Sequence, residues 1–146
     1  MTHLNRKQIA DRLMLPEKYI VLDEAFYDAL YPDDLKILKS LPEDDDEFTG
    51  HIADRLLYPD YAISKIINQG IRLLVKLLYP DLKGIPVGMV EHIKLRGQLY
   101  PGDQINVLIK KWQERSRIAK FEIGIENQDG RLVYESTVLG TVVDEI

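Results

Sequence analysis

Residues Tyr61–Leu78, YAISKIINQGIRLLVKLL, decide the fold. Ala62, Ile63, Ile66, Ile67, Ile71, Leu74, Val75 and Leu78 recur at three- and four-residue spacing, so one wide face of a helix is apolar. Pro59 and Asp60 stand where a helix start favours them. The apolar stripe runs around much of the helix, which predicts that a sheet buries it. A membrane surface or a partner's groove is the lesser alternative.

Outward from this helix, the C-terminal part reads as strands. Beyond Gly88, "MVEHIKLRGQL" leads to a turn at Pro101-Gly102-Asp103, and "QINVLIKKWQE", "IAKFEIGIENQ" and "LVYESTVLGTVV" follow. Asn127-Gln128-Asp129-Gly130 is a hairpin signal between two alternating runs. Three consecutive strands joined by tight turns predict an antiparallel meander. On the N-terminal side, Asn5–Leu13 has the spacing of a short amphipathic helix that Pro16 should stop. "KYIVLDEAFY" is rich in β-formers and reads as a first strand. Tyr31-Pro32-Asp33-Asp34 suits a turn, and Leu35–Leu41 fits a strand or a short helix. The acidic run around Glu43–Glu47 reads as an exposed loop. One long buried helix and a mostly antiparallel sheet make an α+β domain, the sheet wrapped around the helix. No internal repeat or low-complexity linker divides residues 1–146, so a single domain is expected.

Composition narrows the function. The 19 basic and 24 acidic residues give a net charge of −5, which argues against a generic nucleic-acid binder. With 0 cysteines, disulfides, thiol catalysis and cysteine-based metal sites are excluded. The N-terminus "MTHLNRKQIADRL" lacks an apolar signal core. No apolar run reaches the ~18–20 residues that span a bilayer. A cytoplasmic protein that does not enter the membrane is expected. Between Lys65 and Lys120, basic residues such as Lys94, Arg96, Arg115 and Arg117 far outnumber Asp81, Glu91, Asp103 and Glu114. Such a bias is either a solvated surface or a docking face for an acidic partner. His3 and His92 have no companions at metal-ligand spacing, so no metal is assigned, and no cofactor is expected.

The order of these segments resembles the hot-dog-fold 3-hydroxyacyl-acyl-carrier-protein dehydratases of the FabZ type. Gly50-His51-Ile52-Ala53 and Leu57-Tyr58-Pro59-Asp60 fall in register with that family's signature, and Gln69 matches its helical glutamine. "RGQLYPGDQINVLI" resembles its strand–P-G-D–strand segment, and "LPEKYIVLDEA" and "EFTGH" resemble its first strand and the lead-in to the histidine. The resemblance covers nearly the whole chain. It implies a hot-dog fold, a homodimer (or a heterodimer with an active relative), and an acyl-carrier-protein or CoA thioester as partner. It places His51 and position 65 at the catalytic pair, and Tyr58, Pro59, Asp60, Tyr61 and Gln69 around the substrate. The departures are sharp. Ala53 and Leu56 stand where the family has prolines, Asp60 where it has glycine, and Lys65, fourteen residues after His51, where it has Glu or Asp.

Dehydration of a 3-hydroxyacyl thioester needs a base at C2, an acid at the C3 hydroxyl and donors for the thioester oxygen. In the family the histidine is the base, and a carboxylic acid contributed across the dimer interface is the acid. Backbone N–H groups at the helix start, near Pro59–Tyr61 here, are the donors, helped by the helix dipole. His51 suits the first role, because imidazole titrates near pH ~6.5. Lys65 admits three readings: a buried lysine of lowered pKa acting as acid, a cation beside His51 that supports no elimination, or a side chain that snorkels to solvent. Asp60 at the helix start suits capping, and its charge would repel a developing oxyanion. Tyr58 and Tyr61 suit either packing or the lining of an acyl tunnel. The sequence therefore points to a dehydratase-like protein of fatty-acid or related acyl-chain biosynthesis with weak or altered activity. The alternatives are a non-catalytic hot-dog protein that binds acyl thioesters or pairs with an active subunit, and a hot-dog enzyme with other chemistry such as thioester hydrolysis.

Overall fold

A computed structural model describes residues 2–28, 33–41, 50–52, 55–57, 60–80, 87–112 and 118–141 of the chain. Strand β1 (Thr2–Asn5) runs into helix α1 (Arg6–Leu13), followed by a 3₁₀ turn (Glu17–Tyr19), β2 (Glu24–Asp28) and β3 (Asp33–Ser40). A short pair, β4 (Gly50–Ile52) and β5 (Arg55–Leu57), precedes the long helix α2 (Asp60–Leu78). Then come β6 (Val87–Leu95), β7 (Gln104–Lys111), β8 (Ile118–Glu126) and β9 (Leu132–Thr141). Seven strands form one antiparallel sheet in the order β1-β2-β3-β7-β8-β9-β6, and β4 and β5 pair separately.

Helix α1 owes its start to a reciprocal cap. The Asn5 side chain accepts from the Gln8 N–H at 2.9 Å, and the Gln8 side chain accepts from the Asn5 N–H at 2.8 Å. It ends earlier than Pro16 requires, because Met14 turns left-handed (φ 56°) and Leu15 N–H reaches back to the Ala10 carbonyl.

The expected first strand over "KYIVLDEAFY" is corrected. Lys18 and Tyr19 lie in the 3₁₀ turn, and the strand is limited to Glu24–Asp28, second in order after β1. Ile20 and Leu22 are buried, so the alternation that suggested a strand is real. Among the described residues, however, no strand pairs with it. The Val21 N–H is taken by the side chain of Gln69, and the Ile20 carbonyl by Arg6. The ambiguous segment after Asp34 resolves as strand: Leu35 and Ile37 face the core and β3 pairs with β7 along its whole length. Residues 29–32 and the acidic run 42–49 lie outside the described residues.

The meander is present as β7-β8-β9. Its second turn closes as the sequence predicts: Gly130 takes φ 76° and its N–H bonds the Asn127 carbonyl at 3.0 Å. At the earlier turn Gly102 takes φ 88°, the Asp103 N–H bonds the Tyr100 carbonyl at 3.1 Å, and the Gly102 N–H reaches the Leu41 carbonyl at 2.7 Å. Strand β6 precedes β7 in the chain but lies at the far side of β9, where it forms one edge of the sheet; β1 forms the other.

Helix α2 lies against β3 and β7 and against α1. Ala62, Ile66, Ile67, Ile71, Leu74 and Val75 are buried as the periodicity requires. Gly70 sets the closest approach. A Cβ built there would meet Ile109 Cδ1 at 2.5 Å and Ile37 Cδ1 at 2.8 Å, so any larger residue at this depth would force those two side chains to shift. The remaining stripe, Ser64, Lys65, Asn68 and Arg72, is exposed. Among the described residues, no helix is long and apolar enough to cross a membrane.

Candidate functional site

The expected base, His51, sits on a strand. His51 is the middle residue of β4 and stands opposite Leu56 of β5, with Gly50 opposite Leu57 and Ile52 opposite Arg55. Three-residue strands offer few ladder bonds, so this hairpin depends on what packs around it. The chain leaves β5 at Leu57 and enters α2 at Asp60. The sequence thus places the histidine on a short pair that leads directly into the N-terminal end of the buried helix.

That end begins with Asp60 and Tyr61, the first residues of α2. The first turn of a helix carries N–H groups without intrahelical partners. They fall where donors to a thioester oxygen are expected, and the helix dipole adds to their pull on negative charge. Asp60 at this end is favourable for the helix itself by the same dipole. Tyr58 and Pro59, and Ala53 of the histidine segment, lie outside the described residues.

Lys65 lies one turn further along, on the exposed stripe of α2 that also carries Ser64, Asn68 and Arg72. Its neighbours Ile66 and Ile67 point into the core. Among the three sequence readings, deep burial of this side chain within its own chain does not occur.

Gln69 has a task that the sequence did not disclose. Its Oε1 accepts from the Val21 N–H at 2.9 Å and its Nε2 donates to the Tyr19 carbonyl at 2.7 Å. One amide thus satisfies a donor and an acceptor of a segment that has no strand neighbour among the described residues, and fastens that segment to α2.

The basic bias also acquires a shape. Lys94, Arg96, Lys110 and Lys120 are exposed, while Lys111 is buried, with its Nζ 3.4 Å from the Tyr79 hydroxyl and 5.4 Å from that ring's centre. Lys111 therefore leaves the candidate docking face and becomes part of the packing under the end of α2. Arg115 and Arg117 lie outside the described residues. Among the described residues, no group of three or more His, Cys, Asp or Glu could hold a metal.

No family model matches the chain. Individual relatives do. A 3-hydroxyacyl-[acyl-carrier-protein] dehydratase FabZ of Paramagnetospirillum magneticum is 30% identical over 111 residues, 74% of this chain and 68% of that protein. The FabZ of Psychromonas ingrahamii is 24% identical over 143 residues, 95% of this chain and 93% of that one. Among solved structures, a thioesterase of Haemophilus influenzae aligns with a TM-score of 0.70 at 9% identity, covering 97% of this chain and 92% of its own. The dehydratase heterocomplex ApeI:P of Xenorhabdus doucetiae aligns at 0.69 and 10% identity, covering 92% and 90%. A Streptococcus mutans protein bound to acetyl-CoA aligns at 0.65 and 10% identity, covering 83% and 90%. At such identities the structural likeness speaks for the fold: a hot-dog sheet around a central helix.

Proposed function

Because the chain belongs to the 3-hydroxyacyl-[acyl-carrier-protein] dehydratase family of hot-dog proteins, we propose that it binds acyl thioesters and dehydrates 3-hydroxyacyl groups weakly or not at all. One observation carries the reading: Lys65 occupies the position of the family's carboxylic acid, on the exposed stripe of α2.

The elimination sets the requirement. The C2–H bond breaks with its proton going to the His51 imidazole. That electron pair forms the C2=C3 bond, and the C3–O bond breaks as the hydroxyl takes a second proton and leaves as water. His51 and the N–H groups at the start of α2 supply the base and the oxyanion donors. The second proton needs an acid. The family supplies it from a carboxylic acid, and Lys65 stands in that position here. Asp60 places negative charge where the oxyanion would form. A carboxylate at 65 in the family reaches the partner's half of the site, and an outward-facing Lys65 supports the same placement here.

A second reading has the chain as the acyl-binding, acid-deficient half of a pair whose other half carries the acid. The same substitution favours it. The carrier is an acyl-carrier protein or CoA, and the exposed Lys94, Arg96, Lys110 and Lys120 provide its docking charge.

The test is a steady-state assay of the purified protein on 3-hydroxyacyl and trans-2-enoyl thioesters of several chain lengths, with thiol release followed in parallel. The expected result is saturable binding with little interconversion and no thiol release. Fast thiol release would replace dehydration by thioester hydrolysis.

A further inference from the structure

Beyond Asp60, helix α2 carries no acidic residue, and its charged residues are all basic: Lys65, Arg72 and Lys76. At ~3.6 residues per turn these three fall on one row of the helix, Arg72 two turns after Lys65 and Lys76 one turn after that. Lys65 and Arg72 are exposed and Lys76 is half-buried. The row lies away from the face that Ile66, Ile67, Ile71 and Leu74 press into the core.

This row does not serve the helix. An exposed helix face commonly sets an acidic residue three or four positions from a basic one. Lys65 has Tyr61, Ala62, Asn68 and Gln69 at those spacings, and Arg72 has Asn68, Gln69, Val75 and Lys76. No carboxylate is among them, and Arg72 with Lys76 is a like-charged pair of the kind that destabilises a helix. Lys76 gains from the dipole because it stands in the last turn. Lys65 and Arg72, well inside the helix, gain nothing from it. Among the described residues, Arg72 has no ion pair. The amide of Gln69, between the two, is spent on Val21 and Tyr19.

The proposed function turns Lys65 toward a partner subunit, and Arg72 goes with it on the same row. A second copy of the chain would bring a second row of the same sign. Taking a guanidinium out of water is costly unless an anion meets it. On α2 itself that anion is missing, so covering the row calls for a carboxylate from elsewhere.

We propose that Lys65 and Arg72 select the acyl group, and that this chain takes the thioester of a dicarboxylic acid, whose far carboxylate binds on this row. This deepens the proposed function and rests on it, because it takes position 65 as part of the acyl site. At ~1.5 Å per residue, an acyl chain that leaves the start of α2 and follows the row passes Lys65 about 6 Å beyond Tyr61 and Arg72 about 10 Å further on. The guanidinium offers a carboxylate two parallel N–H donors, and the ammonium offers a point charge. The carboxylate that the family keeps on the protein is then carried by the ligand, and the change at position 65 alters the substrate as well as weakening the elimination.

The experiment is isothermal titration of the full chain, in its solution assembly, with two pairs of thioesters matched in carbon number: glutaryl-CoA against pentanoyl-CoA, and octanedioyl-CoA against octanoyl-CoA. Each pair shares the CoA moiety, so its phosphates cancel from the comparison. The diacid thioester is expected to bind about tenfold tighter or more in at least one pair. In an apolar pocket without cations the order would reverse, because burying a carboxylate is costly. Arg72→Gln and Lys65→Gln should each remove most of the preference, and Arg72→Lys should keep part of it. Both side chains are exposed, so these variants keep the fold. Equal or weaker binding of the diacid in both pairs would overturn the proposal and leave acyl-thioester binding standing. A preference that survives both glutamine variants would place the carboxylate elsewhere and overturn it as well. Failure of all four thioesters to bind would overturn the proposed function, and this proposal with it.

Discussion

At position 65 the chemistry turns on the proton that the leaving hydroxyl needs. A positioned general acid contributes about 10²–10⁴-fold to such a reaction. In the proposed function Lys65 does not take over that role, and Asp60 at the helix start works against the oxyanion. Replacing Lys65→Glu together with Asp60→Gly is therefore expected to raise the dehydration rate by about 10²-fold or more. The readout is formation of the enoyl thioester. A parent protein that turns over briskly and slows on Lys65→Glu would instead make Lys65 the working acid. Gln69 yields a second expectation. Gln69→Leu strands the Val21 N–H and the Tyr19 carbonyl, one part-buried and one near solvent, and should lower stability by about 1–2 kcal/mol. Thermal unfolding measures this loss. An unchanged Tm with a raised KM would transfer Gln69 to the substrate. Its partners lie 48 and 50 residues away, and a pairing at that separation leaves no local pattern in the sequence. His51 and Lys65 were legible only through the family resemblance, since a lone histidine and a lone lysine carry no spacing of their own.

Among the elements, α2 was the easiest to read and β1 the hardest. Eighteen residues of helical periodicity leave one solution, whereas four residues at a terminus carry almost no signal. The 20–22 segment shows why alternation alone misleads. Ile20 and Leu22 alternate into the core, but the backbone groups that would define a strand are satisfied by Gln69 and Arg6. Periodicity reports which side chains are buried, not what the backbone bonds. The depth of α2 against the sheet was not legible either, because Gly70 reads as a weak helix residue and not as a contact. Gly70→Ala would gain about 1 kcal/mol of helix propensity. It would also drive a methyl into Ile109 and Ile37, both fully buried, and overpacking costs about 1–3 kcal/mol. A net loss of about 1 kcal/mol in chemical denaturation is expected. Ile109→Val removes the Cδ1 that the new Cβ would meet, so the double variant should be more stable than the two single effects added. Strict additivity would mean that the helix simply shifts outward, and that Gly70 does not set its depth.

At the scale of the whole molecule, the sheet formed by the described residues has two edges, and they are not alike. β1 has four residues, too short to template much pairing. β6 has nine, and Ile93 and Leu95 on it are 56% and 58% exposed. The bulge blunts only the middle of that strand. A long edge with exposed apolar side chains calls for a covering, and a second copy of the chain is the proposed one, with the two β6 edges meeting across a two-fold axis. Such a pair would also carry the exposed Lys65 of each copy toward its partner, the arrangement that the proposed function assigns to the catalytic pair. Two-fold symmetry sharpens the test, since every change at the edge enters twice. Ile93→Lys with Leu95→Lys places four ammonium groups along the seam and is expected to raise the dimer dissociation constant by more than 10²-fold, about 2.7 kcal/mol. Light scattering on size-exclusion peaks at micromolar concentration follows the mass directly. The parent should elute as a dimer and the variant as a monomer that keeps its far-ultraviolet dichroism. A parent that is a stable monomer, or a variant dimer as tight as the parent, would move the contact away from β6. Any joining of His51 and Lys65 would then have to occur by another route.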